Sequence, residues 1–239
     1  MSRVPLLLAV AQPECVSFDV AANALAHAAL VRRAGARVVV FPELSLTGYE
    51  LDAPPLAADD ARLAPLVEAC AETGSVALAG APVPGPHIGT LAVDSTGARV
   101  AYRKMWLGGA EPDRFAPGTE PAVLAVDGWR LGLAICKDTG VPRHAADTAA
   151  LGIDAYLAGL VDTAADRPIQ EERARRIVAD HRVWVAFASC AAPTGGGFAD
   201  PAGRSSIRDP DGVVVARAGT GTGEVATATL PSAACSRGI

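Results

Sequence analysis

Leu131-Gly132-Leu133-Ala134-Ile135 carries no polar side chain and stops on Cys136-Lys137-Asp138-Thr139-Gly140. A run this short reads as a buried strand, and the polar, glycine-terminated segment ends it sharply. Hiding such a strand takes apolar surface elsewhere, and the chain supplies it, with 50% hydrophobic and 20% charged residues in 239. Cys136 then sits at a strand's end. Backbone N–H groups turn toward it there and a helix starts near Pro142, which is where an acyl-transfer nucleophile is placed. The same position suits a small buried hydrophobe, the commoner fate of a cysteine after apolar residues. Alone, Cys136 does not decide between them.

Other segments follow the same plan. Leu6–Ala11 is apolar, and Ser17 or Asp19 can cap a helix to Ala34 with Val20, Ala24, Ala28 and Val31 on one face. Gly35 ends it. Residues 38–41 form a second strand, followed at once by Pro42-Glu43-Leu44. A carboxylate just beyond a buried strand is raised toward the range of a general base if it is covered, whereas an exposed loop glutamate has no such role. Asp59 and Asp60 cap a helix through Thr73, with Leu63, Leu66, Val67 and Cys70 inward and Gly74 as its stop. Residues 76–79 form a third strand, and 82–86 read as a proline-rich loop.

Residues 90–93 and 99–103 flank Asp94-Ser95-Thr96-Gly97 as a hairpin. Lys104 closes it, in the manner of any surface lysine. The long irregular stretch 105–118 carries Trp106, Glu111, Arg114 and Phe115, and such loops inside compact domains usually serve a site. Residues 123–126 and 129–135, joined by Asp127-Gly128, form the hairpin that ends at Cys136. A helix over 142–151 and a strand over 155–158 follow. In a helix over 169–180, Glu171, Glu172, Arg173, Arg175 and Arg176 read as a mostly solvated face. Strands follow over 184–189, 205–208, 212–217 and 224–230. Gly195-Gly196-Gly197 is a flexible loop without the Lys-Ser/Thr pair of a phosphate cradle.

A net charge of −5 without a basic run argues against nucleic acid and anionic membrane surfaces and favours a small-molecule partner. Cys15, Cys70, Cys136, Cys190 and Cys235 show neither a CxxC pair nor regular spacing, so no disulfide framework and no metal site is expected. The opening apolar stretch is too short for a signal peptide, and Gln12-Pro13-Glu14 follows where a small-residue cleavage site would be. No segment approaches a membrane span. The reading is a cytoplasmic protein whose residues 1–239 form one domain.

Glu43, Lys104 and Cys136 stand at comparable strand ends, which can converge in space. Here the chain resembles the nitrilase superfamily of carbon-nitrogen hydrolases. The resemblance rests on Val40-Phe41-Pro42-Glu43-Leu44 with Thr47-Gly48-Tyr49, and on Tyr102-Arg103-Lys104 followed by Glu111 and Phe115-Ala116-Pro117-Gly118. It rests further on Gly132-Leu133-Ala134-Ile135-Cys136-Lys137-Asp138, with weaker echoes at Ala9 to Gln12, Arg204 to Ile207 and Asp209 to Gly212.

The resemblance implies an α+β fold, a four-layer α-β-β-α sandwich of two mixed sheets, and a Glu43-Lys104-Cys136 triad with Glu111 as an additional glutamate. It also implies that sandwiches stack into a homodimer or larger assembly, with the short C-terminus altering the usual contacts. No cofactor is implied. Lys137, Trp106 and Tyr49 are the expected substrate-binding residues, Trp106 and Tyr49 being able equally to serve as core. Lys137-Asp138 replaces the Trp-Glu that usually follows the cysteine of true nitrilases, which points to amide rather than nitrile hydrolysis. The expected reaction is cleavage of a small amide through a Cys136 thioester. An acyltransferase using that thioester and a catalytically silent binding module are the alternatives. Of the histidines, His27, His87 and His181 read as structural or solvated, and His144 as a distant candidate partner for Cys136.

Overall fold

The computed structural model describes residues 3–232. Its first sheet begins with three parallel strands, β1 (Leu6–Ala11), β2 (Val38–Val40) and β3 (Val76–Val83). Parallel neighbours require crossovers, supplied by α1 (Val20–Ala34) and α2 (Ala64–Thr73). Two antiparallel strands, β4 (His87–Asp94) and β5 (Gly97–Arg103), extend one edge.

The second sheet repeats the plan. Hairpin strands β6 (Ala122–Val126) and β7 (Trp129–Ile135) lead into β8 (Ala155–Leu160) and β9 (Trp184–Ser189), parallel to β7. The crossovers here are α3 (Pro142–Ala150) and α4 (Arg167–His181). Antiparallel β10 (Ser206–Arg208) and β11 (Val214–Arg217) finish this sheet, and β12 (Val225–Leu230) returns to pair with β1. The strand orders are β12-β1-β2-β3-β4-β5 and β11-β10-β9-β8-β7-β6.

Strand alternation divides the apolar residues among three cores. Leu8, Val10, Val40 and Leu78 share the central core with Leu131, Leu133 and Leu157 from the other sheet. Their neighbours Ala9, Val39 and Ala77 face α1 and α2, while Ala134, Tyr156 and Phe187 share a core with residues of α3 and α4. Both faces of the central strands are covered, which is why they read as continuous apolar runs. The result is the four-layer α-β-β-α sandwich of two mixed sheets.

Local differences from the sequence reading have physical causes. Asp19, not Ser17, caps α1 by accepting from the Ala22 N–H at 2.9 Å, and Ser17 instead donates to Glu50. A short 3-10 turn, Ala61–Leu63, precedes α2 and is capped by Asp60. Pro82 and Val83 belong to β3 rather than to a loop. Beyond Leu78, β3 has lost β2 as a neighbour, so a proline sits there as it does on an edge strand. Among the described residues no helix is long and apolar enough to cross a membrane.

Candidate active site

The ends of β2, β5 and β7 deliver Glu43, Lys104 and Cys136 to one place. Glu43 lies on a tight segment held between the two sheets, and two glycines make the room. A Cβ on Gly80 of β3 would lie 2.5 Å from the Pro42 carbonyl oxygen, and one on Gly159 of β8 would lie 2.6 Å from that of Phe41 and 2.9 Å from the Glu43 nitrogen. Neither glycine has a left-handed backbone, so what they provide is space. From the outer layer, His27 of α1 fixes the same segment. Its Nδ1–H donates to the Asn23 carbonyl at 2.6 Å, leaving Nε2 to accept from the Ser45 hydroxyl at 2.8 Å. The expected structural role of His27 is thus a specific one.

Lys104 uses all three of its ammonium protons. Nζ donates to Glu43 Oε1 at 2.6 Å and to Glu111 Oε1 and Oε2 at 2.7 and 2.8 Å. Glu111 also accepts from the Tyr49 hydroxyl at 2.9 Å and from the Gly108 N–H at 2.8 Å. Glu43, Lys104 and Glu111 are 1%, 1% and 3% exposed, so this ion triad is sealed from water. Among the described residues Glu43 Oε2 has no hydrogen-bond partner. Burial pushes Glu43 up to about 8, with the neighbouring charge of Glu111 adding to it and Lys104 opposing. Burial alone would lower the Lys104 ammonium, but Glu43, Cys136 and Glu111 together hold it above its ordinary value.

Cys136 follows β7 with φ of 40°, in the left-handed region that costs a non-glycine residue about 1–2 kcal/mol. It opens a 3-10 turn, Cys136–Gly140. Its thiol donates to the Val161 carbonyl at 3.4 Å, and burial, followed by the negative charge of Glu43, raises it well above an ordinary thiol. The proton therefore rests on sulfur, beside a carboxylate with an unoccupied oxygen.

A polar network behind the turn holds it in place. Asp138 accepts from the Ile135 N–H at 2.9 Å, the Trp106 N–H at 2.9 Å and the Tyr102 hydroxyl at 2.8 Å. His144 bridges Tyr102 through Nε2 and Tyr156 through Nδ1, each at 2.8 Å. Burial keeps its imidazole below the usual histidine value, hence neutral near pH 7. His144 thus supports the turn through Tyr102 and Asp138 and makes no hydrogen bond to Cys136.

A cavity of about 300 Å³ opens over the thiol. Tyr49, Lys104, Glu111, Cys136 and Lys137 line it, but Trp106 does not. Trp106 is 40% exposed, while its backbone N–H is tied to Asp138, so this expected binding residue lies outside the cavity. Three unforeseen residues line it instead: Asp162 after β8, Arg173 on α4, and Phe198, whose ring meets Tyr49 edge-on at 5.1 Å. Arg173 is half-buried rather than solvated, and Arg176 donates to the Thr139 carbonyl at 2.6 Å. The glycine loop near 196 packs on the Tyr49 ring and also borders the cavity. Cys15, Cys70 and Cys190 are free, and Cys235 lies outside the described residues.

The family model described as carbon-nitrogen hydrolase matches residues 7–238. A protein named as a hydrolase from Mycobacterium tuberculosis is 32% identical over 212 residues, covering 78% of this chain and 75% of that one. A hydrolase of Pseudomonas protegens is 29% identical over 217 residues, covering 84% and 74%. Among solved structures, Nit3 of Saccharomyces cerevisiae, a member of the nitrilase superfamily, superposes with a TM-score of 0.82 at 22% identity, covering 96% of this chain and 91% of that one. A cysteine-to-alanine mutant of the amidase from Nesterenkonia AN1 gives 0.78 at 25% identity, covering 96% and 91%. In another structure of that amidase, acrylamide has added to its active-site cysteine.

Proposed function

This chain belongs to the carbon-nitrogen hydrolase family, within the nitrilase superfamily, and on that premise we propose that it is a thiol amidohydrolase acting on a small amide. The observation that carries the reading is the sealed Glu43-Lys104-Glu111 cluster beneath a cavity whose floor is the Cys136 thiol.

Amide hydrolysis needs a nucleophile, a place for negative oxygen, and a proton for the departing nitrogen. Glu43 Oε2, free at rest, takes the Cys136 proton as sulfur bonds to the carbonyl carbon. Because burial raises both groups, the carboxylate is basic enough to accept a proton that sulfur retains until attack. Charge that develops on the carbonyl oxygen faces the Lys104 ammonium and the Lys137 backbone N–H. Lys104 gives two of its protons to one carboxylate, Glu111, so one can turn to the oxyanion while Glu43 and Glu111 keep the ammonium in place. Such a preorganised donor is typically worth about 2.7–4 kcal/mol of barrier.

Glu43 then passes its proton to the nitrogen, the C–N bond breaks, and an acyl thioester remains on Cys136. Water enters, Glu43 removes its proton, and the thioester opens to a carboxylic acid and the free thiol. Lys137 and Tyr49 border the space where substrate sits.

The test is mass spectrometry of the protein quenched during turnover of a panel of small amides. An acyl adduct on the Cys136 peptide, absent from Cys136→Ala together with all turnover, is expected. An adduct confined to another cysteine, or hydrolysis persisting in Cys136→Ala, overturns the assignment.

A further inference from the structure

The residue after Val161 has no part in the mechanism above. Asp162 is 9% exposed and lines the cavity, yet its Oδ2 accepts no hydrogen bond among the described residues. Its other oxygen meets Arg173 Nη1 at 3.3 Å, a long contact for a charged pair, and this is the one side-chain hydrogen bond that Arg173 makes among the described residues. A buried carboxylate held this loosely is not explained by stability, since an acceptor cut off from water and left unpaired is a cost to the fold. It becomes favourable when a ligand supplies the missing donor. The last torsion of an aspartate is broad, so a ligand in the cavity that the side chain lines can draw an oxygen toward it.

We propose that Asp162 is a subsite for a protonated amine on the acyl side of the substrate, so that the preferred substrates are small amides bearing an ammonium group. The proposal rests on the amidase reading and names its substrate class. Two features point to a cation rather than to an anion or a neutral chain. Arg173, the cation that could draw a substrate carboxylate, already faces Asp162. Burial also drives the Asp162 carboxyl upward, so the single cation Arg173 does not offset the cost of enclosing this carboxylate.

The acyl side follows from position. The leaving nitrogen must reach Glu43, which protonates it, whereas Asp162 lies beside the carbonyl that holds the Cys136 thiol and opens onto the cavity.

Glycinamide and propionamide have the same heavy-atom skeleton and differ in ammonium against methyl, and malonamate offers a carboxylate instead. The experiment compares kcat/KM for the three in the wild type and in Asp162→Asn, and their affinities for Cys136→Ala and for the double variant Cys136→Ala/Asp162→Asn by calorimetry. Glycinamide should exceed propionamide roughly tenfold or more in both measurements, with malonamate poorest, and Asp162→Asn should bring the glycinamide-to-propionamide ratio close to one. Preference for malonamate, or a ratio that survives in Asp162→Asn, overturns the proposal. Equal loss of glycinamide and propionamide also overturns it, because that places Asp162 at the scissile amide or in the fold. If Cys136→Ala binds glycinamide in an Asp162-dependent way while the wild type hydrolyses none of the three, the subsite stands and the amidase reading falls.

Discussion

Replacing Gly159 by alanine perturbs Glu43 without touching any side chain of the site. The added methyl would lie 2.6 Å from the Phe41 carbonyl oxygen and 2.9 Å from the Glu43 nitrogen, so relief to ordinary contact at 3.4 Å moves that segment by about 0.8 Å. Glu43 hydrogen-bonds Lys104 at 2.6 Å, a contact that a shift of this size lengthens beyond a good hydrogen bond. Displacements near 1 Å at a reacting group cost about 10²-fold in rate, and overpacking costs about 1–3 kcal/mol of stability. The expected result for Gly159→Ala is therefore a large loss of kcat/KM in a protein that still folds. The rate of Cys136 alkylation by iodoacetamide, followed by mass of the tryptic peptide, reports on the thiol independently of any amide substrate. Ile177→Val, in the core between α4 and the second sheet, serves as the control, because it costs about 0.5–1.5 kcal/mol with no route to Glu43. Gly159→Ala with wild-type kcat/KM and wild-type alkylation would refute the argument that this glycine makes room for the base. An activity loss no greater than that of an equally destabilised Ile177 variant would refute it as well.

Lys104→Met should lower kcat and kcat/KM together by about 10²- to 10³-fold with little change in KM, as for other oxyanion donors; a raised KM at unchanged kcat would instead make it a binding charge. The acid limb of kcat/KM belongs to Glu43 and should lie well above the ordinary carboxylate range, activity falling as pH drops through it; a limb near 4.5 would contradict the burial argument. His27 is fully buried with its value lowered to about 4, so its stabilising contribution is complete above 6.5 and is lost as pH falls through about 4. Denaturant melts at several pH values should show roughly 3 kcal/mol of acid-linked loss that His27→Gln diminishes, and an undiminished loss would assign it to other groups.

Much of the fold could be read from strand ends and helix stops, because burial imposes its pattern locally. Leu6–Ala11 and Trp129–Ile135 stand where the apolar runs put them, and Gly35 and Gly74 close their helices with left-handed backbones. The pairing of two sheets into four layers was carried by the family resemblance, since alternation tells which residues face inward but not against what. Arg173 was misplaced for a related reason. Among neighbouring charges on one helix it looks solvated, and only the position of α4 over the end of β8 brings it to Asp162. Likewise Asp138, Tyr102, His144 and Tyr156 come from four separate elements, and nothing in their spacing announces that they share protons.

Two features, however, had local signals. Gly80 and Gly159 interrupt apolar strands, and a glycine inside a strand often marks a place where another backbone approaches closely. In both strands that backbone is the one carrying Glu43. Asp162 obeys the rule that singled out Glu43 and Cys136, being the first polar side chain after an apolar strand of a parallel set. Strand ends of such a set open on one side of a sheet, so the logic that gathers Glu43 and Cys136 there extends to a third group. What distinguishes Asp162 is that its neighbours leave one of its oxygens unsatisfied, as they do for Glu43. Of the two unsatisfied oxygens, the proposed mechanism gives Glu43 Oε2 the proton of Cys136, whereas Asp162 Oδ2 has no donor among the described residues and is the one the proposed ligand ammonium would satisfy.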